Sequence, residues 1–416
     1  MRILYVIHYA GSPEHGMEFR PYYLAREWVR AGHSVRILAA SYSHLRAKQP
    51  DMHFESGSKP VIENISGIQY QWFRTPEYQG NGFGRSINIA SFLWSVARSA
   101  RSIVREFAPD VVIASSTYPM DIWVARRVGA LSGAKVVFEV HDLWPLTLTE
   151  IGGLSRWHPF VLICGIAEKI AYSRSDYVVS MLPKISRHAI SRGMQAGKLR
   201  IIPNGISPEE WEGDRQDVAV AIRDEILSAR SQGRFIVGYA GSHGRANALD
   251  TLLNAAEQLR DSPVSFFLVG NGHEKERLVR AAAERRLSNV TFFDSIPKAQ
   301  IPAFLKLIDV AYIGWEPLPI YRFGIAPNKL MDYMMAECVI LHSVSAGNDP
   351  VADAGCGLTV LPGDPNAVAE GLLRLAALPA DKRREMGRRG RGFVLANHAY
   401  PVLAQRFLID LGREAH

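Results

Sequence analysis

The chain has 416 residues, 47% of them apolar and 21% charged. That balance excludes a disordered chain, and no apolar run reaches the roughly 17–25 residues that a membrane-spanning helix needs. The length fits two domains of about 200 residues better than one core, and the net charge of +7 asks for anionic company: nucleotide, nucleic acid or anionic lipid.

Cys164, Cys338 and Cys356 are widely scattered and lack metal-ligand spacing, so they read as reduced thiols of a cytoplasmic protein. The amino terminus is apolar but carries His8 and no small-residue cleavage site. It reads as a buried first strand rather than a signal peptide.

In chain order, residues 2–8 form a strand and 9–15 a loop, followed by a helix over 18–31 and a strand over 34–39. A polar, irregular stretch over 41–66 precedes a short strand at 68–73. A long helix at 86–107 leads to a strand at 111–115, a helix at 119–131 and a strand at 135–140. A helix at 160–172, strands at 177–180 and 199–202 and a helix from Lys184 complete the first series. Strands alternating with helices in this way predict a parallel sheet covered on both faces.

Turn residues at 203–211 break the rhythm, and a second α/β series restarts at Arg234. Its strands fall at 235–240, 264–269, 290–293, 310–315, 339–344 and 358–361. The fold class is therefore α/β, two doubly wound domains facing a central cleft. The domains are expected at 1–204 and 205–395, with a last helix within 396–416 packing back on the first. The basic run 382–391 reads as a solvated helix face.

The helix at 86–107 interleaves Phe92, Leu93, Trp94, Val96, Ile103 and Val104 with Arg98, Arg101 and Arg105. Two readings stand: a basic amphipathic helix on an anionic bilayer, or a core helix with a solvated basic edge.

The stretch Arg322-Phe-Gly-Ile-Ala-Pro-Asn-Lys-Leu-Met-Asp-Tyr333 reads as a loop entering a helix, with Pro327 at the first helical position. The amides of Asn328 and Lys329 are then donors at the positive end of a helix dipole, a ready anion site. A cation in a first turn costs the helix roughly 0.3–1 kcal/mol, so helix stability does not explain Lys329. A bound phosphate does. Asp332, one turn on, is placed to accept from a sugar hydroxyl. The alternative is a plain surface helix.

These segments resemble a known family. Gly32-His33-Ser-Val, Val140-His141-Asp142-Leu-Trp-Pro145, Ile202-Pro-Asn-Gly-Ile206, Tyr239-Ala-Gly-Ser-His-Gly-Arg245, Val269-Gly-Asn-Gly-His273 and Pro327-Asn-Lys-Leu-Met-Asp332 together look like a GT-B glycosyltransferase. The pattern is similar to the retaining family 4 enzymes that build bacterial surface polysaccharides. By resemblance, the first domain takes the acceptor and the second a nucleotide-diphosphate sugar, with no metal and no cofactor. His141 matches the histidine that contacts the donor sugar, with Asp142 beside it in the catalytic group. Gly16 matches the first-loop glycine, and Gly241, Ser242 and Arg245 fall where the donor diphosphate is expected. Ile296 falls at the base, and Glu18, Arg20 and Asn204 are placed on the acceptor side, where two readings of Arg20 stand: a contact to an acceptor phosphate, or an ordinary exposed arginine.

Two departures stand out. The arginine and lysine that many members carry after Gly241 and at Asn247 are absent, and Asn247 reads as a helix N-cap. In the paired-glutamate motif, Gly324 and Asp332 replace the acids. Arg245, Arg322 and Lys329 are the cations left to meet the diphosphate, and Lys329 with the helix amides is expected to stand in. The resemblance implies a lipid-linked glycan acceptor, retention of configuration, and work at the inner face of the plasma membrane. Nucleic acid is not an expected partner, since no recognised module accompanies the basic charge. A sugar-nucleotide epimerase and a non-catalytic glycan- or nucleotide-binding relative are the alternatives. A nicotinamide-dependent oxidoreductase is disfavoured because Gly270-Asn-Gly272 lacks the third glycine.

Overall fold

The computed structural model describes residues 1–16, 19–44, 46–51, 60–80, 82–213, 216–409 and 411. The chain divides into a first unit, Met1–Pro203 with the segment from Tyr400 onward, and a second unit, Asn204–Ala399. Each is a Rossmann-like α/β domain.

The first unit is built on eight strands: β1 (Arg2–Val6), β2 (Ser34–Ala40), β3 (Val61–Ile65), β4 (Ile68–Phe73), β5 (Val111–Ala114), β6 (Lys135–Val140), β7 (Tyr177–Ser180) and β8 (Leu199–Ile201). Their order is β3-β4-β2-β1-β5-β6-β7-β8. All neighbours are parallel except β3 and β4. The central strands are apolar on both faces because helices cover both; β5, Val-Val-Ile-Ala, is wholly buried. Strand order reverses at β1 and β5, the position where open α/β sheets bind ligands.

The antiparallel edge strand β3 falls inside the stretch expected to be irregular. Its Val-Ile-Glu-Asn-Ile sequence alternates half-buried and exposed positions, as an edge strand does, and lacks the apolar run of the interior strands. Ser66 and Gly67, both at positive φ (51° and 82°), make the tight turn into β4. The helix Tyr400–Leu408 packs on the helix Phe19–Arg30. There Trp28 Nε1 donates to the Ala404 carbonyl at 3.0 Å and its ring meets Phe407.

The second unit has six strands: β9 (Phe235–Ala240), β10 (Val264–Val269), β11 (Val290–Phe293), β12 (Val310–Gly314), β13 (Val339–Ser343) and β14 (Gly357–Thr359). The order β11-β10-β9-β12-β13-β14 is parallel throughout and reverses at β9 and β12. The basic run belongs to the helix Ala380–His398 and is not simply solvated. Gly387 and Gly390 are buried, where a Cβ on Gly387 would meet the Glu337 carbonyl at 2.0 Å. Arg391 donates to the Met335 carbonyl at 2.9 Å.

Candidate active site

In the second unit, Lys329 lies on the helix Asn328–Met335. Pro327 is the N-cap rather than the first helical residue, so the helix starts one position later than its sequence suggests. The Lys329 ammonium donates to the Tyr239 hydroxyl at 2.9 Å and to Asn247 Oδ1 at 2.7 Å, and lies 4.6 Å from the centre of the Tyr239 ring. Tyr239 belongs to β9, and Asn247 to the loop that leaves it. Both donate to the Ser242 carbonyl, at 2.7 and 2.9 Å. The cation is thereby tied to the glycine loop at the β9/β12 switch point. Burial pushes its pKa down to about 8.

Gly241 is glycine for a physical reason: a Cβ there would sit 3.0 Å from the Lys329 ammonium, and its φ of 156° suits no other residue well. Asn247 is not the N-cap of the next helix. Ala248 holds that position, and the Asn247 side chain bridges Lys329 and Ser242 instead. Asp332 is half-buried on the same helix as Lys329, and its carboxylate accepts no hydrogen bond among the described residues. Burial raises its pKa to about 7, with Lys298 acting in the opposite direction. Carboxyl groups perturbed in this way gather at functional sites, and Asp332 is one by burial alone.

The other predicted cations are not gathered here. Arg245 is 80% exposed and leans towards Glu316 at 3.4 Å. Arg322 donates to the Pro319 carbonyl at 2.7 Å and its guanidinium covers the Phe323 ring. Each is drawn to a nearby partner, so neither supplements Lys329 in this arrangement. Gly324, at the first position of the altered motif, has φ 104° and contributes no carboxylate. Ile296 packs, half-buried, on the core cluster of this unit. Asn204 is spent on structure: its amide donates to the Ala326 carbonyl at 2.9 Å, and its own carbonyl accepts from His398. It holds the segment leading into Lys329 rather than presenting an amide to an acceptor. His243 is fully buried, with neither ring nitrogen bonded among the described residues. Burial, then Lys275 and Lys329, lowers its pKa to about 4, so the ring is neutral.

In the first unit, His141 follows β6. Its Nε2 lies 2.7 Å from the Ser115 hydroxyl and 3.3 Å from Glu139 Oε2. Ser115 donates to that same Glu139 oxygen at 2.6 Å, so its oxygen accepts from the imidazole, which places a proton on Nε2. Tyr5 also donates to Glu139 Oε2. Oε1 accepts from Arg20 Nε and a terminal nitrogen at 3.0 and 2.9 Å. Burial alone would raise the Glu139 pKa, but the Arg20 and His141 charges and the hydrogen bonds outweigh it and hold the carboxylate well below its ordinary range.

Arg20 is therefore not an acceptor-phosphate ligand. It is 6% exposed, and its remaining donors reach the carbonyls of Ile202 at 2.8 Å and Pro203 at 2.5 Å. Four of the five guanidinium N–H groups are taken by protein. Asp142 is likewise structural. It accepts from the Leu143 amide, the Trp144 indole and the Thr147 hydroxyl at 2.7, 3.0 and 2.5 Å, which shapes the turn after His141. Gly16 (φ 74°) packs on Ala47, where a Cβ would approach to 3.0 Å. Its missing side chain is thus required by protein rather than substrate. Glu18 lies outside the described residues.

Glu139 and Tyr239 are the two residues that sequence reasoning missed. Glu139 had a signal, an acid inside the apolar strand 135–140 next to His141. Tyr239 had none, because a tyrosine at a strand end is ordinary core.

Residues 15–210 match the family described as Glycosyltransferase Family 4, and residues 234–377 match Glycosyl transferases group 1. The chain is 25% identical over 297 residues to the putative colanic acid biosynthesis glycosyl transferase WcaI of Escherichia coli strain K12, spanning 68% of this chain and 69% of that one. It is 22% identical over 325 residues to the probable glycosyltransferase WbjE of Pseudomonas aeruginosa, 76% and 77% of the two chains. Among solved structures, Anabaena HepE in complex with UDP and glucose shares the fold with a TM-score of 0.66, at 15% identity over 99% of each chain.

Proposed function

We propose that this glycosyltransferase, which has the GT-B fold its sequence resembles, moves a sugar with retention from a nucleotide-diphosphate sugar to a lipid-linked glycan. The observation that carries the reading is the Lys329 ammonium, fixed by Tyr239 and Asn247 in the first turn of a helix. One of its three N–H groups is left for a diphosphate, and the neighbouring amides of Asn328 and Lys329 add oriented dipoles. The complex of HepE with UDP and glucose supports a nucleotide sugar as the donor class, and the likeness to WcaI supports a role in polysaccharide biosynthesis.

In this reading Lys329 and the helix amides stabilise charge on the departing nucleoside diphosphate. Asp332 accepts from a donor hydroxyl, and Ile296 lies at the base. His141, with its Nε2 proton committed to Ser115 and Glu139, presents a fixed ring to the donor sugar. The acceptor hydroxyl attacks from the leaving-group face, and the departing phosphate takes its proton. The chain's own residues supply positioning and electrostatics, with no metal and no cofactor in the scheme.

The test is nucleoside diphosphate release with a lipid-linked glycan present and absent, followed by NMR of the product anomer. Release that depends on acceptor, with the donor's configuration kept, is expected. Inversion would contradict the retaining chemistry. Donor binding without turnover on any acceptor would favour a glycan- or nucleotide-binding role, the reading to which Gly324 in place of an acid points.

A further inference from the structure

The loops that leave five neighbouring strands of the first unit each bring aromatic side chains to one place. The strands are β4, β2, β1, β5 and β6, adjacent in the sheet and all parallel, so their carboxyl ends share one edge. His8 and Tyr9 follow β1, Tyr42 and His44 follow β2, and Tyr78, Tyr118 and Trp144 follow β4, β5 and β6. The rings touch in series. Tyr9 stacks on His8 at 4.3 Å between centres and meets His44 and Tyr118 edge-on at 6.3 and 6.2 Å. Tyr42 and His44 each meet Tyr78 at 5.3 Å. Arg85, in the first turn of the helix Phe83–Phe107, lays its guanidinium over Tyr9 and Trp144, 5.2 and 5.6 Å from their centres.

Hydrogen bonds fix this shelf from beneath. Asn88 Nδ2 donates to the Pro76 carbonyl at 2.7 Å, so Asn88 Oδ1 accepts from His8 Nε2 at 2.6 Å. His8 Nδ1 then accepts from the Tyr118 hydroxyl at 2.6 Å, which leaves the ring neutral with its proton on Nε2. The Tyr9 hydroxyl accepts from Arg85 Nε, and the Tyr42 hydroxyl donates to the Tyr78 carbonyl, both at 2.9 Å. His8, Tyr9, Tyr78, Tyr118 and Trp144 are buried, whereas Tyr42 and Arg85 are half-buried and His44 is exposed. An aromatic floor thus opens on a rim of phenol, imidazole and guanidinium. His44 Nδ1 lies 2.5 Å from the Tyr78 hydroxyl, and its Nε2 makes no hydrogen bond among the described residues.

The proposed transfer reaction takes only His141 from this unit. The shelf stands at the same carboxyl edge of the sheet as His141, where open α/β sheets bind their ligands. Aromatic walls with a few convergent polar groups are the make-up of a small-molecule site. The negative face of an aromatic ring suits the polarised C–H groups of a sugar, and a guanidinium and an imidazole at its rim suit the hydroxyls. Burial, then the Arg85 charge, lowers the His44 pKa, so at neutral pH the imidazole is uncharged and the guanidinium stands among neutral rings. That composition suits a neutral sugar better than a phosphate. We propose that the shelf binds a sugar ring of the acceptor glycan, its C–H face against Tyr42 and its hydroxyls on His44 and Arg85. That the sugar belongs to an acceptor rests on the proposed transfer reaction; that a sugar binds there does not.

Saturation-transfer NMR of the full chain with methyl glycosides of glucose, galactose and N-acetylglucosamine, and with no sugar donor, tests the shelf apart from the transfer reaction. Saturation should reach the ring C–H groups of at least one glycoside at about 10 mM. His44→Ala and Arg85→Met should each weaken that binding roughly tenfold, as loss of one hydrogen bond to a ligand allows. Because His44 is exposed, its replacement should leave thermal melting close to the wild type. Inorganic pyrophosphate should leave the glycoside signal in place. With a lipid-linked glycan that turns over, His44→Ala should raise the acceptor KM by a similar factor. No saturation of any glycoside in the wild type, or variants that bind like it, would overturn the proposal. So would displacement of the glycoside by pyrophosphate, which would assign the rim to an anion. Glycoside binding that the variants lose, in a wild type that transfers to no acceptor, would uphold the shelf and contradict the transfer reaction instead.

Discussion

Lys329 and Asp332 stand one turn apart on one helix, and burial discourages the charged form of both. Lys329 is lowered to about 8 and Asp332 raised to about 7. For Asp332 the folded value exceeds the unfolded one of about 3.9. The folded state therefore holds the proton more tightly, and this residue's cost to stability builds as pH rises from about 4 and is full above about 7. Asp332→Asn should raise the melting temperature of the free enzyme at pH 8, by an amount equivalent to roughly 1–3 kcal/mol. The same change should weaken donor binding, because an acceptor for a donor hydroxyl is lost. Opposite signs in calorimetry and titration would identify a group kept for its ligand; a loss in both would make it structural. Donor affinity should also fall as pH rises through about 8, as the ammonium loses its proton, and Lys329→Arg should remove that dependence. The sequence disclosed Lys329 because a cation in a first helical turn conflicts with the dipole. It did not disclose Tyr239 and Asn247 as the ammonium's partners, which stand 90 and 82 residues away in the chain. Those contacts exist only once β9 and the helix after β12 meet at the switch point.

At the scale of elements, β6 delivers His141 and fixes it from behind. Its bounds were legible because Lys-Val-Val-Phe-Glu-Val ends in a His-Asp turn, yet the strand's one acid was passed over. Glu139 is the hub where Tyr5 of β1, Ser115 after β5 and Arg20 of the first helix converge. Arg20→Met leaves that carboxylate buried without its countercharge and should cost about 3–5 kcal/mol, read in urea unfolding. Adding Glu139→Gln should recover part of the loss, and a double variant no better than the single would deny the coupling. The pH signature has a definite sign. Glu139 is held below its ordinary range, so its contribution is full above the unfolded value of about 4.3 and is lost as acid carries the pH down through the folded value. Edge strand β3 escaped the sequence reading for the opposite reason to Glu139. Its half-exposed positions tolerate polar residues, so Ile-Glu-Asn-Ile carries no apolar run. The expected roles of Arg20 and Asp142 failed because sequence position identifies a charge near a strand end without identifying its partner.

Across the whole molecule, the alternation of strands and helices made both Rossmann-like domains readable, since buried parallel strands leave unmistakable apolar runs. The surplus of positive charge was readable as well. Its placement was readable only in part: helical spacing put Arg98, Arg101 and Arg105 on one helix, where they are exposed, but spacing shows one stripe at a time and cannot show what neighbouring helices add. The account rests on one physical claim, that a lysine fixed at a helix start grips the diphosphate of a nucleotide sugar. Titration calorimetry of the full chain and of Lys329→Ala against a panel of nucleotide-diphosphate sugars tests it most directly. The expected result is saturable binding of at least one donor by the wild type, weakened roughly a hundredfold or more in the variant, as loss of a charge-assisted contact in a partly desolvated site predicts. Equal affinity in the two proteins would contradict the claim.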